Sequence, residues 1–453
     1  MTPVKAVAAT GMLGSGFRTD SLETALRDAD FVACDAGSSD LGPFYLGSGQ
    51  SHASDAAVER DVREILSRAR PLGIPAIFGS AGTAGATVQL EKLSDTVRRT
   101  AKSHGLRFRL ALIDTQIPPQ RVVKAMGAGE VHPLANAPDI DEEKVLACER
   151  IVAMAGPEPF IEALDAGADV IVAGRSSDAS LFVALPQSRG IPTGVAYHAG
   201  KVLECGAAAA EVRPYPDAMS AVMDLEGFTV EPPNRAMRCT PQSVAAHTFY
   251  ENANPHILVE PGGYLDTSQA CYEPINDRAV RVTGSKFVRA DAHSVRLEGA
   301  TLSGYRALVI AGIRDPLVLK DIHGFMHDLD LEITTKVLTS LGLHKDQYRI
   351  ANRQYGLNGT LGRLERIARH RAPVEVGILW DVLAETQTLA SAIAGILWHT
   401  ALHHPVPGYR GLTSNLAFPI SPPVVEGGPV YEFTLNHKWA TNEKYYNIHL
   451  EDV

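Results

Sequence analysis

Three times in the first 180 residues a short apolar run breaks off into a stretch of Gly, Ser and Ala. Phe31-Val32-Ala33-Cys34 runs into Asp35-Ala36-Gly37-Ser38-Ser39-Asp40. Ala76-Ile77-Phe78 runs into Gly79-Ser80-Ala81-Gly82-Thr83-Ala84-Gly85. Val170-Ile171-Val172-Ala173 runs into Gly174-Arg175-Ser176-Ser177-Asp178. Continuous apolar runs of this length suit strands covered on both faces, as in a parallel sheet. Ligands of such sheets bind beyond the carboxyl ends of the strands, where small residues leave backbone N–H groups accessible. The pattern therefore predicts an α/β fold with converging loops that take a small anionic molecule.

Helical periodicity fills the gaps between these strands. Residues 53–70 place Val58, Val62, Ile65 and Leu66 on one face, and residues 86–104 form a second helix ended by Gly105. Strands are also expected at 4–9 and 108–113, with helices at 21–28 and 159–166. Strand–helix alternation of this length implies right-handed crossovers and a mostly parallel sheet. Beyond residue 195 the texture changes. Residues 195–205, 216–223 and 241–250 look helical, whereas 279–283, 294–297 and 306–310 alternate as antiparallel strands do. Helices at 316–341 and 389–403 flank strands at 348–356 and 374–383, and a Pro- and Gly-rich segment covers 405–429. The expected organisation is an α/β domain over residues 1–195 and an α+β domain over 196–453, the boundary lying within 190–265.

Composition excludes some partners. The net charge is −10, with Lys and Arg scattered, which argues against nucleic acid. No apolar stretch approaches the ~18 residues of a membrane span. The opening residues run straight into a strand-like segment without the regions of a signal peptide, so a cytoplasmic chain is expected. The five cysteines form no C-x-x-C pair and read as reduced packing residues.

Four groups of residues can carry chemistry. The 79–85 loop sits where an anion cradle would, with Gly79, Ser80, Gly82 and Thr83 as contacts; a tight turn needing small residues is the alternative. Ser38, Ser39, Ser176 and Ser177 offer hydroxyls beside it, and Arg175 can hold a carboxylate bidentately. Asp35, Asp40, Asp178 and Glu260 can ligate a divalent ion, act as bases or cap helices. His198, Lys201 and Glu204 recur in steps of three, and His247, Tyr250 and Glu251 fall at i, i+3 and i+4. Each set is an acid/base candidate or a solvated stripe, and His247 equally suits a core histidine satisfied by a neighbour. If both helices line one cleft, their polar faces should converge on Asp35 and Arg175.

Several blocks resemble the acyclic terpene utilisation (AtuA-like) family: residues 14–20, 34–40, 79–85 and 173–178, Glu204-Cys205-Gly206, Tyr250-Glu251-Asn252-Ala253, Glu260-Pro261-Gly262-Gly263 and Asn415-Leu416-Ala417-Phe418-Pro419. They fall in order along the whole chain, which looks like a shorter branch without the additional C-terminal domain of longer members. The resemblance implies catabolism of branched acids and their CoA esters and a small companion subunit; it carries no reaction and no residue roles. Together with the residue chemistry it favours a lyase that adds or removes water on a small carboxylic acid or acyl-CoA, with His198 or His247 as base. The rival readings are a non-catalytic acid- or acyl-CoA-binding subunit and a nucleotide-using ligase or transferase. A homo-oligomer is expected.

Overall fold

The structure is a computed structural model that describes residues 2–366, 373–409 and 415–453. Residues 410–414, inside the Pro- and Gly-rich segment, lie outside them. The chain divides into two compact units, Met1–Thr301 with Glu432–Val453, and Leu302–Tyr431. The division thus falls at 301/302 and 431/432, not within 190–265. The reason is visible in the first unit's sheet. Strands Met219–Met223, Gly227–Glu231, Val280–Thr283 and Cys271–Pro274 extend one edge, and Asn447–Asp452 forms the other.

That sheet has ten strands, and five at its centre are parallel: Val4–Ala8, Phe31–Asp35, Ala76–Gly79, Val170–Ala173 and Arg109–Asp114, in that order. Four of the five are buried from end to end or nearly so, which explains their unbroken apolar runs. Helices Asp55–Ala69 and Thr87–His104 cover one face through Val62, Ile65, Leu66, Leu90, Leu93 and Val97. Helix Thr193–Leu203 lies among the core residues of the other. Gly105 ends the long helix in the left-handed conformation, as its position predicts.

Residues 216–223 are a strand over Met219–Met223, not a helix, because Met219, Ala221 and Met223 point inward in alternation and pair with Val4–Ala8. Residues 294–310 belong to one strand, Ser294–Ile313, instead of two. Helix Pro241–Phe249 starts on Thr240, whose side chain accepts from Ser243 N–H, with Pro241 in the first turn. Strand Ile257–Glu260 belongs to a separate three-stranded sheet with Gly263–Asp266 and Lys286–Arg289. In the second unit, strands Tyr348–Tyr355 and Val376–Ala384 and residues 305–313 form an antiparallel sheet. Helices Ile322–Leu341 and Gln387–His403 share its core. Among the described residues no helix is long and apolar enough to cross a membrane.

Candidate active site

A guanidinium buried under the strand ends must find acceptors. Arg175 follows the Val170–Ala173 strand and is 3% exposed. Its Nε donates to Glu298 Oε2 at 2.9 Å, and its Nη1 to Ser80 Oγ at 3.2 Å, Ser176 O at 2.6 Å and Asp178 Oδ1 at 3.4 Å. Ser39 Oγ donates to Glu298 Oε1 at 2.7 Å, and Arg296 Nε lies 3.1 Å from the same oxygen. Burial would raise the Glu298 carboxyl, but Arg175 and Arg296 outweigh it and hold it below its ordinary value. Arg175 is expected to pair with a substrate carboxylate or, failing that, with Asp178; here its carboxylate partners are Glu298 and Asp178 of the protein itself. Sequence reasoning passed over Glu298, although a charged residue amid an alternating apolar strand is a signal that it has a buried partner.

The 79–85 loop is also engaged internally. Ser80 N–H donates to Gly174 O, Ala81 N–H to Ala173 O, Thr83 N–H to Ser80 O and Gly85 N–H to Ala81 O. Ser80 N–H also reaches Ser176 Oγ at 3.2 Å. Gly82 O accepts from Gln89 Nε2 at 2.6 Å, and Thr83 Oγ1 accepts from His52 N–H at 2.8 Å. The four amides of Ser80, Ala81, Thr83 and Gly85 bond within the protein, which favours the tight-turn reading over the anion cradle expected of Gly79, Ser80, Gly82 and Thr83. Ser80 (φ 43°) and Thr83 (φ 98°) sit at positive φ. A Cβ on Gly85 would lie 2.0 Å from Arg175 N, and one on Gly37 2.4 Å from Thr83 Cα. The glycines lock three strand-end loops together. Ser38 and Asp40 close a short exposed turn, Ser38 Oγ donating to Asp40 Oδ2 at 2.9 Å.

A second cluster lies beside this joint. Lys201 Nζ is 2.6 Å from Glu204 Oε1, with Lys201 3% and Glu204 8% exposed. Ser177 Oγ donates to Glu260 Oε2 at 2.5 Å. Glu260 feels the charges of Glu204, Asp178 and Lys201, and Glu204 those of Lys201, Asp178 and Glu251. The strand-end loop, helix Thr193–Leu203, strand Ile257–Glu260 and Glu251 thus contribute to one constellation. Burial pushes Glu204 up to about 7 against the pull of Lys201, and Glu260 up to about 8 against the Ser177 hydrogen bond. Asp178 is raised by burial against Arg175, and Asp35 well above its ordinary value by burial and then by Asp178. Lys201 would be lowered by burial, but Glu204 raises it further, so it stays charged. Glu251 is set at φ 64°, just past helix Pro241–Phe249, and the Tyr250 ring lies 5.5 Å from Lys201 Nζ.

The two histidines separate from this group differently. His198 is fully buried, with Nδ1 2.7 Å from Ser285 Oγ and Nε2 2.9 Å from Thr248 Oγ1, and burial drops it to about 3. It is a neutral core histidine, and its assignment as a base is corrected. Steps of three residues drift around a helix, so His198 and Glu204 diverge by about 120°. His247 stays near the cluster, stacked on Tyr250 at 5.9 Å, its Nε2 buried without a hydrogen bond. Burial, then Lys201 and Arg213, lower it to about 4. Among the described residues no group of three or more His, Cys, Asp or Glu side chains is set to hold a metal ion. Asp35 accepts from Gly37 N–H at 2.9 Å, Glu260 from Ser177, and Asp40 points into its own turn. Asp35, Asp40, Asp178 and Glu260 therefore do not form a ready ligand set.

Residues 57–215 match the family model described as acyclic terpene utilisation family protein AtuA. The matched stretch, about a third of the chain, carries the 79–85 loop, Arg175, Asp178, Lys201 and Glu204, and over it the chain is similar to that family. No curated protein and no solved structure matches the chain.

Proposed function

We propose that this AtuA-like chain is a hydro-lyase of catabolism that acts on a small branched carboxylic acid or its CoA thioester. The observation that carries the reading is the pairing of Lys201–Glu204 and Ser177–Glu260 within one buried cluster below parallel strand ends. Elimination of water next to a carbonyl needs a base, an acid and a positive charge near the developing enolate. Glu204 as carboxylate takes the proton α to the carbonyl, and the C–H pair becomes the new C=C bond. Glu260, protonated at neutral pH, gives its proton to the departing hydroxyl as the C–O bond breaks. Lys201 stabilises the negative charge that grows on the carbonyl oxygen. The family's printed name, acyclic terpene utilisation, supports a branched acyclic substrate.

The test is turnover by the purified chain on branched 3-hydroxy acids and their CoA thioesters, followed by the appearance of the unsaturated product. Wild type is expected to eliminate water. Glu204→Gln and Glu260→Gln should each lower kcat by about 10²–10⁴-fold while the protein stays folded. Tight ligand binding with no turnover would instead assign the chain the role of binding subunit, active only with a companion. The nucleotide reading is the weaker one because four amides of the 79–85 loop, those of Ser80, Ala81, Thr83 and Gly85, bond within the protein.

A further inference from the structure

We propose that the cavity at the carboxyl end of strand Val4–Ala8 receives the carboxylate of a free branched acid, gripped by Arg213. The inference rests on the acid/base reading of the Lys201–Glu204–Glu260 cluster and adds the anchor that Arg175 does not provide. The cavity measures about 510 Å³ and is lined by Thr10, Met12, Ser15, Cys205, Arg213 and Tyr215, among others. That volume suits a small ligand.

Its floor is built by close backbone approach. A Cβ on Gly11 would lie 2.6 Å from Cys205 O, and one on Gly206 (φ 56°) 2.6 Å from Gly11 N. The strand end and the turn after Glu204 therefore meet back to back, and Cys205 forms both cavity wall and neighbour of the cluster. Burial raises the Cys205 thiol to about 12, and the charges of Glu204, Lys201, Asp178 and Glu251 all reach it. It is a neutral wall residue, not a nucleophile. His247 likewise feels both Lys201 and Arg213.

Charge accounting singles out Arg213. Asp217, the cavity's carboxylate, is fully buried and accepts from Arg18 N–H (3.1 Å), Ala218 N–H (2.9 Å), Ser21 Oγ (2.7 Å) and Asn234 Nδ2 (2.8 Å). Four neutral donors satisfy it without Arg213. The neighbouring arginines are paired, Arg18 with Asp20 and Arg238 with Glu211. Among the described residues the Arg213 side chain joins no hydrogen bond or ion pair, so a guanidinium faces the cavity mouth with its donors unassigned. A carboxylate fits that fork, while Met12 and Pro216 offer apolar surface to a short chain. The chemistry favours the free acid over its thioester. Proton loss α to a carboxylate builds a second negative charge, which a cation on the carboxylate offsets; a thioester carbonyl carries no charge to match.

Titration calorimetry with 3-methylbutanoate, 3-hydroxy-3-methylbutanoate and their primary amides tests this. Wild type should bind at least one acid about tenfold more tightly than its amide. Arg213→Ala should erase that preference by weakening the acid alone, Arg213→Lys should restore part of it, and the melting temperature should not move, because Arg213 is exposed. No saturable binding of either acid by wild type, or equal acid affinity in wild type and Arg213→Ala, overturns the assignment. Tighter binding of the CoA thioester, indifferent to Arg213, overturns it as well. Glu204→Gln should bind the acid like wild type. If that variant turns over normally the acid/base reading fails while the anchor stands, and if binding ignores Arg213 while Glu204→Gln is inactive the reverse holds.

Discussion

A buried arginine and a buried histidine settle here by the same rule: each takes whatever partner removes its desolvation penalty. Arg175 answers to Glu298, so Arg175→Lys, which keeps the charge and loses the fork, should destabilise the protein by about 1–3 kcal/mol. Chemical denaturation measures it, and unchanged stability would mean that the Glu298 contact contributes nothing. His198 bridges Ser285 and Thr248, so His198→Ala should cost about 2–4 kcal/mol through a cavity and the two lost bonds, although Thr248 keeps its donation to Val244 O. Its turnover below the melting temperature should stay within a few-fold of wild type. Glu204→Gln leaves the buried Lys201 ammonium with a neutral partner and should also lose stability, but unlike His198→Ala it should lose turnover as well. If His198→Ala instead behaves like Glu204→Gln, the base is His198 after all.

At the scale of elements, the parallel strands were readable because burial on both faces makes them continuously apolar, whereas the flanking strands were not. Met219–Met223 leaves Val222 exposed on its outer side, and that mixture of small and apolar residues suits a helix as well as a strand. Asn447–Asp452 completes the sheet by antiparallel pairing with Arg109–Asp114, a partnership set by tertiary contact and invisible to local periodicity. The site shows the same division. Lys201, Glu204, Ser177, Asp178 and Glu260 could be nominated from their chemistry. Glu298 and Arg213 could not be tied to them, because long loops and crossovers alone bring them near. The glycine loop was ambiguous for a different reason: anion cradles and tight joints use the same residues, and only the amide partners distinguish them. Gln89 gives this joint a handle. Its Nε2 donates to Tyr45 O, Gln50 O and Gly82 O, and its Oε1 accepts from Ala86 N–H. Gln89→Ala should cost about 2–4 kcal/mol, read as a fall in melting temperature of several degrees. An unmoved transition would show that water replaces those bonds without loss.

For the whole molecule, the buried acids dictate how stability answers to pH. Glu204 and Glu260 titrate near about 7 and about 8 when folded, far above an unfolded glutamate, and Asp35 and Asp178 are raised as well. An acid with a raised folded value holds its proton better in the native state, so its contribution is complete below the unfolded value and fades as pH rises through the folded one. His293, raised chiefly by Glu158, whose Oε1 lies 3.6 Å from its Nε2, acts in the same direction. His198 and His247, lowered to about 3 and about 4, act oppositely: the unfolded state binds their protons more readily, so stability gained from them grows with pH and is complete above about 6.5. Below about 6.5 the two sets oppose each other; between about 6.5 and 8 the acids and His293 act in one direction, unopposed by His198 and His247. Stability should therefore fall across that window, by up to about 1.4 kcal/mol per pH unit for each proton held by the native state and not by the unfolded one. Glu260→Gln, which cannot titrate and keeps an acceptor for Ser177, should flatten the slope. Urea denaturation at closely spaced pH values reads both curves. A wild-type stability that is level or rising between pH 6.5 and 8 would show that Glu204 and Glu260 are already ionised in the native protein, and the proton donor assigned to Glu260 would be lost with it.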